Sequence, residues 1–295
     1  MNSNVNKATL LSVCVLLIAM VSIQSGAALA KTLFPLLGAQ GVTALRVSIG
    51  TILLFAFLRP WRHRKKWQLS KSAILSLFFY GLTLGVMNLT FYLAIERIPI
   101  GIAVALEFSG PLVLATLASR RVTDFVWIGL AIIGLYFLLP INQSVNNIDP
   151  VGAMYALIAG VCWALYIVFG KRAGAVFGTQ GVAFGALIST IFILPIGYAH
   201  AGMTLFSPSI LPFALGVALL STAIPYSLEM VALTRLPTKT FGTLMSLEPA
   251  VGALCGLLFL NEVLTLMQWL ALLAIITASI GATLTIRGKS QVESV

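Results

Sequence analysis

PYSLEMVALTRLPTKTFGTLMSLEPA, residues 225–250, sets two carboxylates, Glu229 and Glu248, into apolar segments on either side of an Arg235-Leu-Pro237-Thr-Lys239 turn, each within four residues of a proline. Working outward, a similar pattern occurs upstream in NLTFYLAIERIPIGIAVALEFSGP, residues 88–111. Arg97-Ile-Pro99 stands 138 positions before Arg235-Leu-Pro237, and Pro111 stands 138 before Pro249. The register holds across the helix that follows the turn, so the chain reads as two copies of one unit.

Of the 295 residues, 59% are hydrophobic and 9% charged, with mean hydropathy +1.03. A soluble domain carries about a quarter charged residues, so this is the composition of a polytopic membrane protein. A spanning helix needs about 20 mostly apolar residues. Ten apolar runs answer that description, with cores at 10–30, 42–58, 73–95, 101–118, 125–139, 151–170, 182–198, 210–233, 240–260 and 266–286. They are long and continuous rather than short and alternating, which predicts helices and not a barrel. The expected fold is an all-α membrane protein of ten transmembrane helices.

Gly38-Ala-Gln40-Gly41-Val42 is matched 140 positions later by Gly178-Thr-Gln180-Gly181-Val182, and Lys31 by Lys171. The first helix thus has a counterpart in the sixth, which argues that it is retained although Ala28-Leu-Ala30 imitates a signal-peptide cleavage site. Five helices per unit is an odd number, so the second unit enters the membrane from the opposite side. The prediction is two inverted five-helix repeats, residues 8–140 and 150–287.

The net charge of +10 has a topological explanation. With the N-terminus in the cytoplasm, cytoplasmic segments collect 15 of the 18 basic residues, leaving Lys31 and Arg97 outside and Arg46 within a helix. The positive-inside rule then places both termini in the cytoplasm and the polar loop 141–149 outside. The run RPWRHRKK at 59–66 reads as an orientation signal touching anionic lipid rather than a nucleic-acid site. Cys14, Cys162 and Cys255 lie in apolar segments without CxxC spacing, so neither a disulfide framework nor a metal site is expected, and no cofactor.

Charged groups at membrane depth cost at least about 2.5–3.5 kcal/mol each and mark functional sites by default. Arg46, Glu107, Glu229 and Glu248 qualify. Pro111 lacks an N–H and leaves the carbonyl of Glu107 without its helical partner, and Pro249 does the same to Met245, the repeat equivalent of residue 107. Glu107 and Glu248 are therefore expected to face one central cavity, against the alternative of paired structural acids. Glu229 shares a helix face with Pro225 and Tyr226, and its role stays open between proton coupling and pairing with Arg235. Arg46 either snorkels to the interface or holds a substrate carboxylate. Asp124 and Glu262, 138 apart, are expected to cap their own helices. Gln24, Asn88, Tyr92, Trp163, Tyr166 and Tyr226 are candidates to finish a pocket. There is no GxxxxGK[ST] loop. His63 and His200 are assigned to loops without HExxH or Ser-His company, which weighs against an enzyme.

Glu-x-x-x-Pro at 107–111 and Leu-Glu-Pro at 247–249, with GVTALR at 41–46, GIAVALEFSGPL at 101–112 and DFVW at 124–127, resemble the drug/metabolite transporter superfamily, specifically its EamA-type members. The resemblance covers nearly the whole chain. It implies a bacterial inner-membrane secondary transporter that exports small amino acids of the threonine and homoserine type, in exchange for protons, by alternating access between the repeats. On these residues, the substrate site is expected at Gln24, Arg46, Asn88, Tyr92, Glu107, Trp163, Tyr166, Tyr226 and Glu248. Proton coupling is expected at Glu107, Glu248 and Glu229, and helix breaks at Pro111, Pro225 and Pro249. The alternatives are export of aromatic amino acids, purines or drugs, and a membrane sensor or assembly subunit that transports nothing. Expected partners are a small amino acid, protons and membrane lipid, with a homo-oligomer left open.

Overall fold

The computed structural model describes residues 2–61, 70–117, 122–138, 148–178, 180–225, 228, 229, 232 and 244–285. Every element among them is helical. The first, α1 (Asn2–Leu58), is interrupted only at Gly38, with φ 65° and ψ 166°, a conformation that glycine adopts without steric cost. Its arms are α1a (2–37) and α1b (39–58). There follow α2 (Lys71–Ile95), α3 (Ile100–Leu117), α4 (Val122–Leu138), α5 (Pro150–Phe177), α6 (Gln180–Ala201) and α7 (Leu211–Ala218). A 3-10 helix, Gly202–Phe206, precedes α7, a π-helical turn, Leu219–Ala223, continues α7 towards Glu229, and α8 (Glu248–Leu260) and α9 (Leu266–Thr285) complete the set. Leu11–Leu58, Lys71–Ile95, Pro150–Phe177 and Gln180–Phe206 are long and apolar enough to cross a membrane, and five shorter apolar helices accompany them.

Local chemistry sets several of these ends. Ser70 accepts from Ala73 N at 3.1 Å to start α2. Asp149 accepts from Val151 N at 2.9 Å, with Pro150 just inside α5, where a missing N–H costs nothing. Asn261, at φ 56°, ends α8.

Three boundaries differ from expectation. The first helix does not stop near Ala30 but continues to the kink, because Leu33, Phe34 and Leu37 are buried; packing outweighs the charge of Lys31. Pro249 does not sit inside a helix but just after a break, the turn at 246–247 that follows helical residues 244 and 245. It lies in the first turn of α8, a position that needs no N–H. His200 is not in a loop; it occupies the last turn of α6 and packs against Gly38. The basic residues at 62–66, loop positions 141–147, Tyr226, Arg235 and Lys239 lie outside the described residues.

Helices meet through small residues, as membrane helices do when close approach replaces the hydrophobic effect. α1b runs antiparallel to α6: Ala44 faces Gly197, and the hydroxyls of Thr51 and Thr190 are 2.8 Å apart. α4 runs antiparallel to α9, with Trp127 against Gly281 and Gly134 against Ile275. α3 crosses α8 at Gly101 and Ala253, and crosses α5 where Gly110 and Gly160 let the backbones touch. α1a packs on the π-helical turn after α7 through Gly26 and Ser221. The main apolar core, including Leu33, Ile95, Ile102, Leu106, Val217 and Leu272, lies among α1, α2, α3, α5, α7, α8 and α9.

Candidate functional site

Gln24 of α1a, Arg46 of α1b, Asn88 of α2, Glu107 of α3, Trp163 and Tyr166 of α5, Glu229 beyond α7 and Glu248 of α8 all line one cavity of about 140 Å³. Five elements and the α7 extension thus converge on residues singled out by polarity or aromaticity. Met245, marked in the sequence through the carbonyl that Pro249 frees, also lines it, as do Met87 and Phe91; nothing marked those two, since apolar residues in an apolar helix carry no signal of direction. A second void of about 20 Å³, room for roughly one water, adjoins it between Arg46, Thr51, Tyr80, Asn88 and Tyr166.

Gln24 Nε2 donates to Glu248 Oε1 at 3.2 Å. Gln24 Oε1 and Glu248 Oε2 are buried without a hydrogen-bond partner among the described residues. Glu107 lies within electrostatic reach of both Glu248 and Arg46, and Glu248 within reach of Glu229. Three carboxylates therefore share the cavity with one guanidinium, an excess of acceptors that suits a ligand bearing an ammonium group. Trp163 stands edge-on to Phe108, centroids 5.4 Å apart. Tyr166 stacks on Tyr80 at 4.9 Å and accepts its hydroxyl hydrogen bond at 3.2 Å, closing the cavity toward the smaller void.

The prolines act in two different ways. Pro111 lies inside α3, but the Glu107 carbonyl abuts Gly160 of α5 rather than opening onto the cavity, because glycine allows the backbones that close. Glu107 nonetheless lines the cavity. Pro225 has no N–H to offer Ser221, four residues earlier, and Arg46 Nη2 donates to that carbonyl at 3.0 Å.

Arg46 does not snorkel. It is 6% exposed and held inside by Ser221. Tyr92 is not on the cavity wall; it is fully buried, with the Arg46 guanidinium 5.1 Å above its ring centroid. Tyr226, and the proposed Glu229 partner Arg235, fall outside the described residues.

Glu262 does not cap its own helix. Its Oε1 takes a hydrogen bond from Lys31 Nζ at 2.5 Å, and its Oε2 takes one from Ile100 N, at the start of α3, at 2.8 Å. Lys31 also donates to Ile98 O at 3.3 Å. Gly256 leaves room for the carboxylate and accepts from Glu262 N at 3.1 Å. This clasp stands over the cavity. Lys31 is seven residues beyond Gln24, and Ile100 seven before Glu107, so both lie on the cavity-facing side of their helices, about 10 Å along. Nearby, Glu96 accepts from Ala39 N at 3.1 Å, and Arg97 pairs with Asp149 at 3.0 Å.

An EamA-like transporter family model matches residues 150–284. The threonine/homoserine exporter RhtA of Salmonella typhimurium (strain LT2) is 59% identical over 285 residues, covering 97% of this chain and 95% of the relative. RhtA of Escherichia coli (strain K12) is 56% identical over 283 residues, covering 96% and 95%. The uncharacterized inner membrane transporter YedA of the same strain is 27% identical over 258 residues, covering 85% and 82%. A solved crystal structure of a chain 18% identical has TM-score 0.58 over 92% of this chain and 96% of its own, a likeness of fold.

Proposed function

Since the chain belongs to the EamA-like transporter family, and is a transporter rather than an enzyme, we propose that it exports threonine, homoserine and similar small amino acids across the bacterial inner membrane in exchange for protons. One observation carries this: Gln24, Arg46, Asn88, Glu107, Trp163, Tyr166, Glu229 and Glu248 surround a single buried cavity. Arg46 offers donors to a substrate carboxylate, and Glu107 and Glu248 offer acceptors to its ammonium. A proton taken by Glu107, Glu248 or Glu229 weakens that hold and frees the substrate. The cavity's volume of about 140 Å³ is close to the roughly 150 Å³ that admits a benzene-sized body and well below the 300 Å³ or more of drug-sized sites. That favours eight heavy atoms of threonine over an aromatic amino acid, a purine or a drug.

The architecture in this reading is ten transmembrane helices in two inverted repeats, 8–140 and 150–287. Its supports are Gly38 and Gly178, 140 positions apart and both at positive φ (65° and 58°), and the antiparallel meeting of α1b with α6 and of α4 with α9. Arg59, Lys71, Lys171 and Arg172 gather at the end of the bundle away from Gly38, which favours that end, and both termini, on the cytoplasmic side. The clasp of Lys31, Ile100 and Glu262 then closes the outer mouth, and export requires it to open.

The test is exchange of labelled threonine in proteoliposomes under an imposed pH gradient. Wild-type protein should carry threonine in response to the gradient, and Glu107→Gln and Glu248→Gln should abolish the response. If both variants respond as wild type does, the coupling assignment is wrong.

A further inference from the structure

Tyr92 has a use that its position off the cavity wall reveals. Its ring is fully buried, flanked by Phe34 with centroids 5.8 Å apart, and its hydroxyl has no hydrogen-bond partner among the described residues. The part of this side chain that meets a functional group is the ring face, which lies 5.1 Å beneath Arg46 Cζ. A guanidinium is planar and carries five N–H donors in that plane. Arg46 has one donor engaged by the Ser221 carbonyl at 3.0 Å and one face covered by the ring, so its orientation is fixed from two directions. The uncommitted donors are left on the edge available to the cavity, where a carboxylate is best met in the guanidinium plane.

We propose that Tyr92 is a positioning residue whose ring face fixes the plane of the Arg46 guanidinium so that its free edge receives the carboxylate of the amino-acid substrate. This rests on the transport reading above. The attraction between a cation and an aromatic face comes from the ring's quadrupole, not from the hydroxyl. Phenylalanine should therefore serve at this position, and an aliphatic residue should not.

The experiment measures KM and kcat for threonine exchange in proteoliposomes. Tyr92→Phe should keep KM within twofold of wild type, and Tyr92→Leu should raise it about tenfold with kcat within twofold. Inhibition by threoninol, which keeps the ammonium and hydroxyl but lacks the carboxylate, should be the same in wild type and Tyr92→Leu. In an Arg46→Gln background, Tyr92→Leu should add no further loss. If the leucine variant does not fold, phenylalanines carrying one, two and three ring fluorines at position 92 keep the shape while draining the ring's negative face, and KM should climb along that series. A flat fluorine series, equal KM for the Phe and Leu variants, or losses that add to Arg46→Gln each overturn the positioning role. Where Arg46→Gln raises KM and the Tyr92 variants do not, the positioning role falls and the transport reading stands. Wild-type vesicles that carry no threonine would remove the transport reading, and with it the carboxylate that Tyr92 serves.

Discussion

Glu248 and Glu262 stand at opposite ends of α8, fourteen residues apart, and the same side chain meets two different fates. Glu262 is saturated: one oxygen takes Lys31 and the other takes the Ile100 N–H, in a half-open setting. Glu248 is buried at 7% exposure with one Gln24 amide for company, and one of its oxygens has no partner among the described residues. A saturated carboxylate ties helices together. An unsaturated one is costly to keep and has capacity for a ligand, so burial without partners separates the acid proposed to work from the one that ties helices together.

That contrast can be broken most severely at Glu248. Glu248→Gln removes a carboxylate proposed to hold the substrate ammonium, a charged contact of about 2–3 kcal/mol, and threonine flux should fall on the order of a hundredfold. The Tm in detergent should stay at or above that of wild type, since a poorly partnered buried charge is removed. Gly160→Ala is next. An added Cβ would lie 2.6 Å from the Glu107 carbonyl, so α3 must shift, and flux should drop about tenfold for a misplacement well under a helix diameter.

Glu262→Ala reverses the pattern. It strips acceptors from Lys31 and Ile100 N, should cost roughly 2–3 kcal/mol, and should lower Tm by about 5 °C or more while threonine KM changes little. If Glu262→Ala abolishes flux without moving Tm, the distinction between the two acids fails.

The smallest effect belongs to Arg97 and Asp149. The Arg97 hydrogen bond, and then the Val151 N–H, hold the Asp149 carboxyl below its ordinary range. A depressed folded-state value adds stability above the unfolded carboxylate pKa of about 4 and loses it as pH falls through the folded one. Arg97 is exposed and Asp149 partly so, so acidification through that window should move Tm only slightly, and Asp149→Asn should erase the movement.

The cavity residues were legible because polar groups stand out in apolar runs: Glu107 and Glu248 had no basic residue within two helical turns, Glu229 had only Arg235, and the duplicated register pointed two of the acids at one place. Direction around a helix was less legible. Asn88 and Tyr92 are four residues apart and share a face, yet Asn88 lines the cavity while Tyr92 is covered by Arg46 of α1b and Phe34 of α1a, and the apolar Phe91 lines the cavity at that level instead. Glu262 looked like a cap for the helix it precedes, whereas its partner amide is 162 residues distant. Such a pairing leaves no mark in local sequence. Arg46 was ambiguous for the same reason: the carbonyl that keeps it inside belongs to Ser221, and only the fold brings Pro225's missing donor beside it.

At Gly38 two arms of the bundle are joined by one residue, with no loop to take up slack. The angular relation between Gln24 on one arm and Arg46 on the other is consequently written into residue count alone. One residue inserted after Gly38 would swing Arg46 by about 100° around its axis, off the Tyr92 ring and away from Ser221, without altering a single side chain of the site.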